Sequence, residues 1–222
     1  YTWLEKAVIT SPPLTELPPI SIVIPVYNRR EMLGITLAAI ENQTYPIELI
    51  EVVVADDGSN DLPFEICDDF SQKLNIRYVR QQDQGYRASA ARNLGIRTAK
   101  NDLIILLDGD VAPVPDLVEV YVERLVHSKR VLLCGHRRYV NANHLHYEDL
   151  RENIQPLLEC IDIHSNNTII QQKNEDQKIT LDWRIPVYSK TRNLLNEKYP
   201  FRACCSGNLA FHREVFERTG GF

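Results

Sequence analysis

Four short runs of apolar, mostly β-branched residues recur in the first half of the chain, and each is separated from the next by a segment with helical spacing. The runs are Ser21–Ile24, Ile50–Ala55, Ile76–Val79 and Leu103–Leu107, with Val131–Cys134 as a fifth. Between them, Met32, Ile35, Ala38 and Ala39 recur at helical intervals, residues 64–73 read as a helix, and Ser89–Thr98 is a helix with small residues on one side. Leu117, Tyr121 and Leu125 share a further helical face. Strands that are apolar throughout, rather than alternating, must be covered on both faces. The pattern therefore predicts an α/β fold with a mostly parallel central sheet and helices on both faces. Ser206–Phe211 reads as one more short strand and Arg213–Arg218 as a helix.

The flanks are less regular. Residues 1–19 hold four prolines (Pro12, Pro13, Pro18, Pro19) and read as an extension or linker. Residues 20–222 are expected to form a single domain, with 20–135 as its ligand-binding half and 136–222 as a more polar part laid over one end of the sheet. With 44% apolar and 25% charged residues, the composition excludes fibrous and wholly disordered readings. A formal charge of −5 argues against a nucleic-acid partner, which needs a basic face. The sequence has no apolar run of about 18 residues and so no transmembrane segment. Five cysteines without CxxC spacing point to a reducing compartment and to small buried residues rather than a disulfide framework. The six histidines show no metal-ligand spacing.

In open parallel sheets, ligands bind outside the carboxyl ends of the strands. Three polar signals fall at such ends: Pro25-Val26-Tyr27-Asn28 after the first strand, Asp56-Asp57-Gly58-Ser59 after the second and Asp108-Gly109-Asp110 after the fourth. Two carboxylates one residue apart repel each other unless a cation sits between them. Hard oxygen ligands select Mg²⁺ or Mn²⁺, which commonly bridge one or two carboxylates to substrate phosphates. Asp and Gly are also ordinary turn residues, so the triplet alone leaves both readings open. A carboxylate at residues 56–57 can accept a hydrogen bond from a base N–H, Ser59 can cap the next segment, and Tyr27 can stack on a nucleobase. Neither a P-loop nor a dinucleotide fingerprint follows the first strand. Phosphate charge would be met chiefly by metal, with Arg92 orienting the carboxylates or approaching the donor, and Arg87 either assisting or lying on a solvated helix face.

These motifs, joined by Ala91-Arg92-Asn93-x-Gly95, resemble in order and spacing the family-two inverting glycosyltransferases of GT-A (Rossmann-like) fold. The segments Gln81–Arg87, Asp182-Trp183-Arg184-Ile185 and Cys205–Phe211 are similar to the transferase domains of bacterial chondroitin and hyaluronan polymerases. The resemblance implies metal-dependent transfer of a sugar from a UDP-sugar donor to a saccharide acceptor in polysaccharide or glycan synthesis, with inversion. It implies that Pro25, Tyr27 and Asp57 hold the uridine, Asp57 pairing with the uracil N–H, with Asn28, Arg92 and Gly109 also at the nucleotide. Asp108 and Asp110 would lie at the ribose and pyrophosphate, with Asp110 the direct ligand of Mn²⁺ or Mg²⁺. Trp183, Arg184, Ser206, Gly207 and Asn208 would face the donor sugar or acceptor. A cytoplasmic location follows, with peripheral attachment at the inner face of the membrane open to the full-length protein.

In those relatives the catalytic base lies in a Glu-Asp pair shortly after a Gly-Phe-Asp-Glu segment. Here Gly220-Gly221-Phe222 matches only its start, so the chain is expected to be truncated, the base is expected beyond Phe222 and no catalytic residue is assigned. Two other readings stay open on sequence. One is a sugar-nucleotide-binding module without catalysis. The other is a haloacid-dehalogenase-like phosphatase using Asp108 as nucleophile and Asp110 as acid, although its DxD would follow the first strand rather than the fourth.

Overall fold

The computed structural model describes residues 16–129, 131–135, 137, 139–160, 187, 190 and 204–222. Six strands form one sheet: β1 (Ile20–Val26), β2 (Ile50–Asp56), β3 (Asn75–Arg80), β4 (Leu103–Leu107), β5 (Leu132–Cys134) and β6 (Asn208–His212), in the spatial order β3-β2-β1-β4-β6-β5. Every residue of β1, β2 and β4 is buried, as their unbroken apolar character predicts. The first four strands run parallel. β6 is antiparallel to both β4 and β5, so the sheet is mixed at this side rather than parallel throughout. β3 and β5 are the edge strands and are partly exposed, which departs from the buried strands expected of their apolar runs.

The helices are α1 (Arg30–Glu41), α2 (Pro63–Phe70), α3 (Ala88–Thr98), α4 (Leu117–Leu125), α5 (Tyr147–Glu152), α6 (Gln155–Leu158) and α7 (Arg213–Thr219). Alternate strand residues face opposite layers. Ile22, Ile24, Val52, Val54, Ile105 and Leu107 pack with Leu33, Leu37 and Ile40 of α1, with Phe70 of α2, and with Val118 and Val122 of α4. Val23, Val53, Ile104, Leu106, Leu209 and Phe211 pack against Ile96 of α3 and Phe216 of α7. Burial pushes the Cys67 thiol up to about 12, so in α2 it behaves as a small core hydrophobe. No disulfide joins any of the five cysteines.

The second layer depends on small residues in α3. A Cβ on Gly95 would come within 2.4 Å of Val23 Cγ1 and 3.2 Å of Ala55 Cβ, so the helix lies directly on β1 and β2. Gly95→Val is expected to destabilise the fold by about 3 kcal/mol or more, because overpacking must push α3 off the sheet. Chemical denaturation reads this as a lower midpoint at unchanged slope.

Register sets the ends of the strands level with one another. Val26 pairs with Asp56, and Ile20, Ile22 and Val23 of β1 pair with Leu103, Ile105 and Leu106 of β4. The turns after β1, β2 and β4 consequently emerge side by side at one edge of the sheet.

Candidate active site

Asp56 and Asp57, adjacent in sequence, do different work. Asp56 ends β2 and is fully buried. Its Oδ1 accepts from the Ser59 amide at 2.8 Å and the Ser59 hydroxyl at 2.5 Å, and its Oδ2 accepts from Tyr78 Oη at 2.5 Å and Arg80 Nε at 3.1 Å. Burial and this hydrogen bond hold the Tyr78 phenol well above its ordinary range. Ser59 therefore closes the Asp56 turn and does not cap α2, whose N-cap is Leu62 in the left-handed region, at φ +57°. The capping role expected of Ser59 is corrected on this point: its hydroxyl is already donated to Asp56.

Asp57 faces a cleft instead. Its Oδ1 accepts from Gln81 Nε2 at 2.5 Å and its Oδ2 from the Arg87 amide at 2.9 Å, which fixes the plane of the carboxylate. Each oxygen keeps a further lone pair. Its own amide donates to Val26 O at 2.9 Å, tying the β2 turn to the end of β1.

The cleft has a volume of about 320 Å³. Of the residues singled out in the sequence, Pro25, Tyr27, Asp57, Arg92, Asp108, Gly109 and Asp110 line it together. Tyr27 Oη donates to Asp83 Oδ2 at 3.2 Å, and that acceptor raises the phenol above its ordinary value. Asn28 stands off the lining. It adopts φ +49°, and the strain is offset locally: its amide donates to Ser59 Oγ at 2.9 Å, and its Oδ1 accepts from the Asn60 amide at 2.8 Å. Asn28 thus stitches the first two turns together.

Asp108 follows β4 and accepts from Arg92 Nη2 at 2.5 Å. The Arg92 side chain is only 11% exposed, and its buried Nε has no hydrogen-bond partner among the described residues. Arg87 puts its side chain on Gln84 Oε1, so of the two arginines only Arg92 reaches the carboxylates. The Asp108 amide donates to Gly207 O at 3.1 Å. A Cβ on Gly207 would fall 2.3 Å from Asp108 Oδ2 and 2.8 Å from Arg137 Nη1, so glycine is what lets this segment close on the carboxylate. Ser206 is half-buried beside it. Asn208 points elsewhere: it is buried, and its Oδ1 accepts from Tyr121 Oη at 2.6 Å. Trp183 and Arg184 lie outside the described residues.

The site also holds residues that the sequence reading passed over. Arg29 and Tyr86 line the cleft, and Tyr86 is 93% exposed. Arg29 Nη1 lies 3.3 Å from Asp110 Oδ2, whereas its neighbour Arg30 turns away to Glu65. No local signal separates two consecutive arginines. Of the histidines, His212 has its Nε2 2.8 Å from Leu125 O, which makes it a structural residue.

The donor set suits a hard divalent cation. Asp108 and Asp110 offer carboxylate oxygens from one turn, and Thr36 Oγ1 pins that turn by donating to Gly109 O at 3.2 Å. Among the described residues no three His, Cys, Asp or Glu side chains converge. A cation here would therefore be held by one or two carboxylates with the remaining ligands from outside the protein, which is how Mg²⁺-type ions sit on substrate phosphates.

The sequence matches the Glycosyl transferase family 2 description over residues 21–220. The chain belongs to that family. Among relatives of this glycosyltransferase domain, hyaluronan synthase of Pasteurella multocida is 39% identical over 91% of this chain and 21% of that protein. Chondroitin synthase of Pasteurella multocida strain Pm70 is 39% identical over 100% of this chain and 23% of that protein. Chondroitin synthase of Escherichia coli is 41% identical over 91% of this chain and 29% of that protein. The chain thus spans less than a third of the length of these relatives. A solved structure, the mannosyltransferase PcManGT from Pyrobaculum calidifontis in complex with GDP-Man and Mn²⁺, has a TM-score of 0.63 at 20% identity, covering 100% of this chain and 52% of that one. This likeness shows the GT-A type fold. Family and fold together remove the phosphatase reading. Among the described residues no helix is long and apolar enough to cross a membrane.

Proposed function

We propose that this glycosyltransferase domain, residues 20–222, takes its sugar from a UDP-sugar and moves it with inversion to a hydroxyl of a saccharide acceptor during polysaccharide synthesis. The observation that carries this reading is the meeting of Asp57, Arg92, Asp108 and Asp110 in one cleft at the carboxyl ends of three strands. Polymer synthesis is supported by the hyaluronan and chondroitin synthases that the chain resembles.

Asp57 accepts the uracil N3–H. Its two existing hydrogen bonds hold it as a fixed acceptor, so a base with a ring N–H at that place is favoured and cytosine, with a lone pair there, is rejected. Tyr27 offers its ring to the base from the opposite turn. Arg92 orients Asp108 through its Nη2 and lends positive charge to the wall of the cleft. Asp110, with Asp108, holds Mn²⁺ or Mg²⁺. When bound, such an ion supplies positive charge that stabilises a departing diphosphate. Gly207 sits against Asp108, with Ser206 next to it in sequence, and in this scheme the two face the donor sugar. All three cleft carboxylates serve nucleotide or metal in this scheme, so the acceptor's proton goes to a group outside them.

A panel of nucleotide sugars with Mn²⁺ and an oligosaccharide acceptor, assayed for nucleoside diphosphate release, tests the reading. Release is expected from a uridine donor at a rate at least tenfold above the matching cytidine and adenosine donors. Equal release across the bases would overturn the role of Asp57, and no release from any uridine donor would leave a binding module without catalysis.

A further inference from the structure

Both carboxylates of the Asp108–Asp110 turn carry a guanidinium, and the two pairs differ in kind. Arg92 is nearly buried and firmly seated on Asp108. Arg29 is open to solvent: its side chain is 58% exposed, and Asp110 is 41% exposed. Exposed pairs of this kind are weak, because water screens them, and they exchange readily. Among the described residues Arg29 has no other recorded side-chain ion pair or hydrogen bond. It is the residue before α1, it makes no side-chain capping hydrogen bond, and Arg30 supplies the neighbouring ion pair to Glu65. A divalent cation on Asp110 would stand beside Arg29 with like charge. A diphosphate entering the same cleft would bring opposite charge to the same guanidinium.

We propose that Arg29 is an exchange cation: it neutralises Asp110 in the free site and passes to the diphosphate when the metal takes Asp110. The proposal rests on the UDP-sugar reading and adds a residue and a direction of coupling to it. Arg29 opposes metal binding on its own and favours metal binding together with nucleotide. The order of events at the site is then set by charge, since metal without diphosphate leaves an uncompensated guanidinium beside it.

Arg29→Met and Arg29→Lys test this. Mn²⁺ is titrated into the protein without nucleotide, reading the electron paramagnetic resonance signal of the free ion, and UDP is titrated calorimetrically at saturating Mn²⁺. In Arg29→Met, Mn²⁺ alone is expected to bind about two- to fivefold tighter, which is the loss of one exposed ion pair. UDP with Mn²⁺ is expected to bind about tenfold weaker, the loss of one charge-assisted contact. Arg29→Lys should move both constants back toward wild type. A methionine variant with either constant unchanged, or with weaker Mn²⁺ binding, overturns the exchange. If wild-type protein shows Mn²⁺-dependent UDP binding in that case, the site reading survives and only the exchange falls. If wild-type protein binds neither ligand, both fall.

Discussion

Asp110→Asn is expected to remove the metal-dependent part of UDP binding while leaving the fold intact. The wild-type domain should bind UDP at least tenfold more tightly with Mn²⁺ than without, and the variant should bind it equally weakly in both conditions. The side chain is 41% exposed and its recorded partner is the half-exposed Arg29, so the substitution takes little from the folded state. Loss of that pair costs at most about 1 kcal/mol. For a domain of this size, 1 kcal/mol corresponds to a melting-temperature change of about 2–4 °C. What the site loses is a hard anionic oxygen, which an amide does not replace for Mg²⁺ or Mn²⁺. Calorimetry with and without Mn²⁺, beside a thermal melt, separates the two effects. Retained metal dependence in the variant would remove Asp110 from the metal site.

The opposite outcome is expected two strands away. Asp56→Asn should cost about 3 kcal/mol of stability, because it turns an acceptor that satisfies four donors into a group that presents N–H to some of them. Arg80 Nε cannot reverse its role, whereas the Tyr78 hydroxyl can rotate, so part of the loss is recovered and part is not. A fall of roughly 6–12 °C in melting temperature corresponds to that cost in a domain of this size. The turn that carries Asp57 hangs from the same network through Ser59, so UDP affinity should fall with stability. A variant melting within about 2 °C of wild type would show that the network contributes little. Asp56 and Asp110 thus form a matched pair of tests, one charge given to the fold and one to the ligand.

Much of this was legible in the residues. Unbroken apolar runs separated by helical spacing can be buried only as sheet covered on both faces, and β1, β2 and β4 are buried along their whole length. Polar residues at the ends of such strands must gather at one sheet edge, because parallel strands end on the same side. The sequence by itself therefore determined the central strands, the side of the sheet where chemistry sits, and the family. It did not determine which member of an adjacent pair serves the site. Asp56 and Asp57 are identical in type, and only the pleat, which turns successive side chains to opposite faces, sends one into the Tyr78–Arg80 network and the other into the cleft. Arg29 and Arg30 are divided in the same way by the start of α1. The largest contribution from tertiary structure is β6. Strand direction is not written in apolar pattern, and an antiparallel β6 against β4 is what places Gly207, distant in sequence, on the amide of Asp108. Local spacing decides what is buried; long-range pairing and register decide which buried ends meet.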